Sequence, residues 1–226
     1  MDEEQTRDDN LINEEKKDNN YSDYFRCDLH IHTDYSSKTK TNDYKGDFEL
    51  KKIKELALNK KVVAIGEIGL DYYWTKENKQ EQIEIFKRQL MIAESLHLPV
   101  IVHSRDSILD TYNLLNEYNV TGILHCYSGS LEMANRFIKK GFLIGIGGVV
   151  TFKNAKKVKE VVKEIPITSI SLETDSPYLT PEPYRGKPNN PLYLKYIIKE
   201  ISDLKGISKD EVKNVTSQNV MSKFDL

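Results

Sequence analysis

The 226-residue sequence lacks the features that mark secreted and membrane proteins. Its two cysteines, Cys27 and Cys126, each stand in an apolar run beside a histidine, an unfavourable place for a structural disulfide, so we expect reduced thiols. Its longest apolar runs are strand-sized, far below the roughly 20 residues that a membrane helix needs. The acidic N-terminus lacks the apolar segment of a secretory signal. These absences predict a cytoplasmic protein, with the nucleus as the alternative, and no membrane partner.

The sequence also lacks a strong excess of charge of either sign. Its 33 Lys and Arg against 35 Asp and Glu leave a net charge of -2. Proteins that bind nucleic acid by charge alone carry a basic excess, so any polyanion must be held here by a local patch or by metal. The length suits one α/β barrel domain better than two domains. No feature of the sequence indicates an obligate protein partner.

Short β-branched runs alternate with longer segments of helical period, which is typical of βα units around a parallel sheet. Residues 1–22 contain too few apolar groups to offset the entropy of ordering, and we predict a disordered leader followed by one barrel domain over 23–226. The six predicted strands are Cys27–His32, Val62–Leu70, Pro99–Ser104, Gly122–Tyr127, Phe142–Gly147 and Ser169–Asp175. Asp106, Ser130 and Ser208 are predicted to cap helices, the last one at the start of a helix over 208–224.

Most of the histidines and several acids fall in or at the end of these strands. They are His30, His32, Glu67, His103, His125 and Asp175. Because the carboxyl ends of barrel strands converge on one face, we expect these side chains to meet there. Imidazole mixed with carboxylate suits Zn, Mn, Fe or Ni and, with enough water, Mg. Glu67 could bridge two cations through its two oxygens.

Each of these residues also has a purely structural interpretation. A His-x-His pair alone is weak, and His103 or His125 taken singly is more often a hydrogen-bonded core histidine. Glu67 and Asp175 are harder to explain, because a buried carboxylate without a partner costs several kcal/mol. Together the six residues favour a metal site. The remaining histidine, His97, is expected on the surface near a helix C-terminus, away from the site.

Further polar and aromatic residues flank the predicted ligands. Asp71, Glu173 and Arg105 are placed to orient ligands or to contact substrate. The segment Tyr72 to Trp74 could stack on bases, or it could pack against the barrel rim.

The proline-rich segment 176–190, after the last predicted strand, carries Arg185 and Lys187. A stiff basic loop there would bind phosphate oxygens at low entropic cost. An ordinary surface crossing is the alternative.

Several segments closely resemble the TatD family of metal-dependent deoxyribonucleases. They are AIGEIGLDYY at 64–73, LPVIVHSRD at 98–106, ILHCYSGS at 123–130, IGGVVTFKNA at 146–155, LETDSPYL at 172–179 and RGK at 185–187. The resemblance implies a TIM-like (β/α) barrel that hydrolyses DNA with metal-activated water. Removal of nucleotides from the 3′ end, as a 3′–5′ exonuclease, is one mode of action that fits it. It implies two divalent ions, Mg, Mn or Zn, on His30, His32, Glu67, His103, His125 and Asp175. We expect Asp175 to act as general base, Glu67 to bridge the ions, and Arg105, Arg185 and Lys187 to bind substrate phosphates.

The spacing near the N-terminus departs from the family pattern. Only 35 positions separate His32 from Glu67, where the family has two further strands, so we predict a barrel two strands short of eight. An inactive shortened or spliced form that cannot close its barrel is therefore an alternative. The segment DLHIHTDYSS at 28–37 resembles the polymerase and histidinol phosphatase family, which leaves a metal-dependent phosphomonoesterase as a second alternative. At this point DNA and RNA, and end-trimming and internal cleavage, all stay open.

Overall fold

The predicted strands that follow position 60 form one parallel sheet. Its strands are β1 (Ile65–Asp71), β2 (Val100–Arg105), β3 (Gly122–Leu124), β4 (Phe142–Ile146) and β5 (Ile170–Leu172). They are hydrogen-bonded in the order β1-β2-β3-β4-β5, and every neighbouring pair is parallel. Neighbours in sequence are thus neighbours in space, as repeated βα units require. The predicted α/β class with a parallel sheet is confirmed.

The computed structural model describes residues 46–74 and 76–226. The predicted leader, the first predicted strand with His30 and His32, and the segment 28–37 lie outside the described residues. The number of strands in the complete barrel therefore stays a prediction.

Seven helices alternate with or follow the strands in the described part of the chain. They are α1 (Gly46–Ala57), α2 (Lys79–Leu96), α3 (Ile108–Asn116), α4 (Leu131–Lys139), α5 (Lys156–Glu164), α6 (Leu194–Lys205) and α7 (Lys209–Phe224). Single-turn 3-10 helices lie at Gly148–Thr151, Ile167–Ser169 and Pro191–Tyr193. Within this part of the chain, no helix has both the length and the apolar character needed to cross a membrane.

Two of the three predicted helix caps are confirmed. The hydroxyl of Ser130 accepts the backbone N–H of Met133, and that of Ser208 accepts the N–H of Glu211. The third prediction is wrong, because Ser107 and not Asp106 precedes α3. Asp106 has a left-handed backbone (φ 54°), and the Ser107 hydroxyl donates to the Leu70 carbonyl, which ties this turn to β1. His97 is exposed at the C-terminal end of α2, as predicted.

The core lies between the sheet and the surrounding helices. All five residues of β4 are buried, as expected for a parallel strand covered on both faces. From α2, Phe86, Leu90 and Ala93 are fully buried against the sheet, and the valines Val158, Val161 and Val162 form the buried face of α5. This packing holds the carboxyl ends of the strands in fixed positions relative to one another.

Candidate metal centre

The first pair of strands brings Glu67 against His103. Oε1 of Glu67 lies 2.8 Å from Nδ1 of His103. Gly69 pairs with His103 across the strands, and a Cβ on Gly69 would lie 2.0 Å from the His103 carbonyl oxygen. Because Gly69 also has φ 145°, only glycine fits this close approach without strain. The pairing register shifts between Ile65 and Ile68, an irregularity of the kind that redirects the side chains within it.

His125 connects Glu67 to the far end of the sheet. Its Nε2 lies 3.4 Å from Oδ1 of Asp175 and 3.8 Å from Oε1 of Glu67. The structure therefore brings together four of the six predicted ligands, Glu67, His103, His125 and Asp175. Glu67 stands between the two imidazoles, where a single carboxylate can interact with groups on both sides.

A carboxylate also binds the second nitrogen of each imidazole. Oδ2 of Asp71 lies 3.1 Å from Nε2 of His103, and Oε2 of Glu173 lies 2.9 Å from Nδ1 of His125. Such contacts fix the orientation of a metal-binding histidine and raise its basicity. The remaining oxygens of these carboxylates accept backbone N–H groups, from Tyr73 to Asp71 and from Cys126 to Glu173.

Two of the predicted strands end three residues earlier than expected, and the predicted strand Phe142–Gly147 ends one residue earlier, at Ile146. β3 ends at Leu124 and β5 at Leu172, so His125 and Asp175 lie in the loops just beyond them. The predicted bounds Gly122–Tyr127 and Ser169–Asp175 are therefore wrong. The reason is local, because Cys126 (φ 43°) and Asp175 (φ 56°) have left-handed backbone conformations that a strand cannot contain.

Cys126 directly follows His125 and lies beside the site. With His125 and Glu173 it forms a group whose ligand atoms lie within 4.8 Å of one another. Burial and the charge of Glu173 raise the pKa of the Cys126 thiol above its ordinary value. Both oxygens of Glu173 are already bonded, so we assign this group to positioning His125.

The cluster carries an excess of negative charge. Four carboxylates surround two imidazoles. Even when both rings are protonated and positively charged, the ionised carboxylates leave two negative charges in excess. Burial would lower the pKa of His103, but its hydrogen bonds to Asp71 and Glu67 raise it to about 9. Burial would likewise lower the pKa of His125, but the charge of Glu173 and the hydrogen bonds to Asp175, Cys126 and Glu173 together raise it. Partly buried nitrogen and carboxylate donors with surplus negative charge fit divalent cations.

The three residues predicted to bind phosphate are exposed. The Arg105 guanidinium lies 3.6 Å from the centroid of the Tyr73 ring. Burial would raise the pKa of Asp71, but its hydrogen bonds to His103 and to the Tyr73 N–H, helped by the charges of His103 and Arg105, lower it. Arg185 lies over the Phe152 ring at 4.2 Å, and Nζ of Lys187 lies 5.4 Å from the Tyr184 ring centroid.

Asn189, which the sequence analysis missed, anchors the loop that carries Arg185 and Lys187. It is buried, and its side-chain N–H groups donate to the carbonyls of Thr174 and Tyr178, each at 2.7 Å. The loop is thus fastened directly beside Asp175. An asparagine that follows a proline-rich run was the available signal, but its partners are set only by the fold.

The three residues of the aromatic segment after β1 differ in burial: one packs against the rim of the sheet, and the other two are exposed. Tyr72 is buried and its hydroxyl donates to Asp110 at 3.1 Å, so this ring belongs to the packing of the rim. Tyr73 and Trp74 are 54% and 57% exposed, and neither ring is buried in the core.

The comparison with known families identifies the group to which this chain belongs. A family model described as TatD related DNase matches residues 8–225. The chain belongs to the TatD family. In keeping with this, it is 48% identical over 175 residues to the uncharacterized metal-dependent hydrolase YabD of Bacillus subtilis, covering 76% of this chain and 69% of YabD. The uncharacterized metal-dependent hydrolase YcfH of Escherichia coli K12 is 39% identical over 182 residues, covering 79% and 69%.

Solved structures agree with the TatD assignment. The crystal structure of YjjV, a TatD homologue from Escherichia coli K12, superimposes with a TM-score of 0.75 at 32% identity and covers 80% of this chain and 71% of YjjV. The family and its relatives thus show that the chain is a metal-dependent hydrolase of the TatD family with an α/β fold.

Proposed function

We propose that this TatD-family hydrolase is a divalent-metal-dependent deoxyribonuclease that cleaves DNA phosphodiester bonds. One observation carries the proposal: Oε1 of Glu67 lies 2.8 Å from His103 and 3.8 Å from His125, between the two imidazoles. This is the placement expected of a carboxylate that binds two ions. The description of the matching family as related to a DNase supports the choice of substrate.

Under this proposal, specific residues would hold the ions. Glu67, His103, His125 and Asp175 would hold them, together with His30 and His32 of the first predicted strand. Two ions of Mg, Mn or Zn would stabilise developing charge on the phosphate and lower the pKa of bound water.

The protein's own side chains would position the substrate and move the proton. Asp175 is partly open to solvent, with 25% of its side chain exposed, and can accept a proton from an attacking water as general base. Asp71 and Glu173 hold the two imidazoles in place. Arg105, Arg185 and Lys187 bind substrate phosphates, and we propose removal of nucleotides from the 3′ end, with internal cleavage as the alternative.

A substrate panel tests this proposal. Purified protein is incubated with DNA, RNA and a small phosphomonoester under Mg, Mn or Zn, with and without EDTA. We expect EDTA-sensitive cleavage of DNA that His103→Ala abolishes. Met91→Ala, at an exposed position of α2, is the matched control and should retain activity. Cleavage of DNA that persists in EDTA or in His103→Ala would show that the metal centre does not perform the reaction.

The phosphomonoesterase alternative rests on the segment DLHIHTDYSS at 28–37. Hydrolysis of the phosphomonoester without cleavage of DNA would favour it. A non-cooperative thermal melt with no metal-dependent turnover would instead favour the inactive shortened form.

A further inference from the structure

Two exposed aromatic rings stand at the rim of the metal centre. Tyr73 and Trp74 follow directly after β1 and meet edge to face, with centroids 4.9 Å apart and an interplanar angle of 87°. The Arg105 guanidinium, at the end of β2, lies 3.6 Å from the Tyr73 centroid and 5.6 Å from the Trp74 centroid. We call these three side chains the rim platform.

Hydrogen bonds connect the rim platform to the metal centre. The backbone N–H of Tyr73 donates to Oδ1 of Asp71 at 2.9 Å, while Oδ2 of Asp71 lies 3.1 Å from Nε2 of His103. The side chain of Gln82 forms two hydrogen bonds with the backbone of Asp71: its Oε1 accepts the Asp71 N–H, and its Nε2 donates to the Asp71 carbonyl. The same carboxylate therefore orients a proposed ligand and fixes the start of the platform loop.

Tyr72, the residue before the two exposed rings, is buried, so exposure is confined to Tyr73 and Trp74 within this aromatic segment. Tyr72 is 6% exposed and its hydroxyl bonds Asp110, so it secures the loop to α3. The next two side chains then stand outside the core on a loop that is already held in place. Large rings held in this way lose little freedom on binding a flat partner.

We propose that the rim platform is a nucleobase-binding subsite, in which a base of the substrate stacks on Trp74 beside the bond to be cut. This proposal rests on the proposed nuclease function. Aromatic rings bind bases of any sequence through their faces, and a guanidinium packed on a ring can still use its N–H edge to bind phosphate. The platform thus matches the two parts of a nucleotide, base and phosphate, next to the metal centre.

The subsite can be tested without turnover, because Trp74 is the single tryptophan of the chain. Its fluorescence is recorded in EDTA while a single-stranded oligothymidylate is added, and the titration is repeated with an abasic oligomer of equal length and charge. We expect the base-containing strand to quench Trp74 and to bind roughly tenfold more tightly than the abasic strand, the loss typical of one stacked base. Trp74→Ala, measured in EDTA by the anisotropy of labelled oligomers, should remove most of this difference in affinity, whereas Met91→Ala should not.

Equal quenching by the abasic strand, or an unchanged preference for bases in Trp74→Ala, would overturn the proposal. The result is independent of the nuclease assignment, because binding in EDTA is measured whether or not DNA is cleaved. A platform that binds bases in a protein that does not cut DNA would contradict only the proposed function.

Kinetics provide a second measurement. Trp74→Phe keeps a ring and should retain the wild-type KM for an oligonucleotide, while Trp74→Ala should raise it roughly tenfold with kcat little changed. A change in oligomeric state in Trp74→Ala, with DNA affinity unchanged, would show instead that the platform is a protein interface and would overturn the subsite.

Discussion

The two sides of the metal centre share one arrangement, a carboxylate that binds both an imidazole and a backbone N–H, but their histidines differ in solvent exposure. On the β1–β2 side, Asp71 binds His103 and a backbone N–H; on the β3–β5 side, Glu173 binds His125 and a backbone N–H. The His103 side chain is 33% exposed, whereas that of His125 is 14% exposed. The β3–β5 side is thus the more enclosed half, and the β1–β2 side borders the open rim.

The two histidines also direct opposite nitrogens toward Glu67. His103 directs Nδ1 and His125 directs Nε2. Gly145 lies against Glu173, and a Cβ there would come 2.9 Å from Oε2 of Glu173, so a larger residue at position 145 would displace this carboxylate. We infer that the enclosed side sets the geometry of the site.

Glu67 is the shared element of the two sides, so its replacement should have the largest effect. Glu67→Gln keeps the shape of the side chain and removes its charge. We expect hydrolysis to fall by more than the roughly 10- to 100-fold that replacing an orienting residue costs. Steady-state rates with metal content measured in parallel would check this. Wild-type activity with two ions still bound would show that Glu67 is not a shared ligand.

Replacing the two orienting carboxylates compares the sides directly. Glu173→Gln should reduce metal affinity by roughly 100-fold and Asp71→Asn by roughly tenfold, the two ends of the range for such residues, because Glu173 is the more enclosed. Metal titration by calorimetry gives both values. Equal losses, or a larger loss for Asp71→Asn, would contradict the proposed division of the site.

The sequence predicted the parts of this site that depend on contiguous motifs. The segments around Glu67 and His103 identified both residues, and the alternation of strands and helices indicated that they would meet at one face. The early ends of β3 and β5 were missed, because the sequence around Cys126 and Asp175 gives no pattern that predicts their left-handed backbone, which is uncommon for any residue other than glycine. The burial of Tyr72 beside the exposed Tyr73 and Trp74 depends on Asp110, which lies far along the chain.

The thermal stability of the metal-free protein should depend on pH because of the titration of His103. Its folded-state pKa of about 9 lies above the ordinary 6.5, so its contribution to stability is complete below pH 6.5 and is lost as pH rises through 9. In EDTA, Tm should therefore fall between pH 6.5 and 9, and His103→Gln should reduce this slope. Excess metal should reverse the trend, because metal binding requires a neutral imidazole. Identical slopes for the two proteins would exclude His103 as the group responsible.

The smallest expected effect is structural and lies on the enclosed side. Ser130 caps α4, and its carbonyl accepts the hydroxyl of Tyr127 in the loop that carries His125. Ser130→Ala removes only the cap, which should lower the free energy of unfolding by about 1 kcal/mol. Because the Tyr127 contact uses the backbone, metal affinity at 25 °C should not change. Denaturant unfolding and metal titration measure the two quantities. A loss of metal affinity in this variant would mean that the position of His125 depends on the helix after it as much as on Glu173, and the rigidity of the enclosed side would then come from α4.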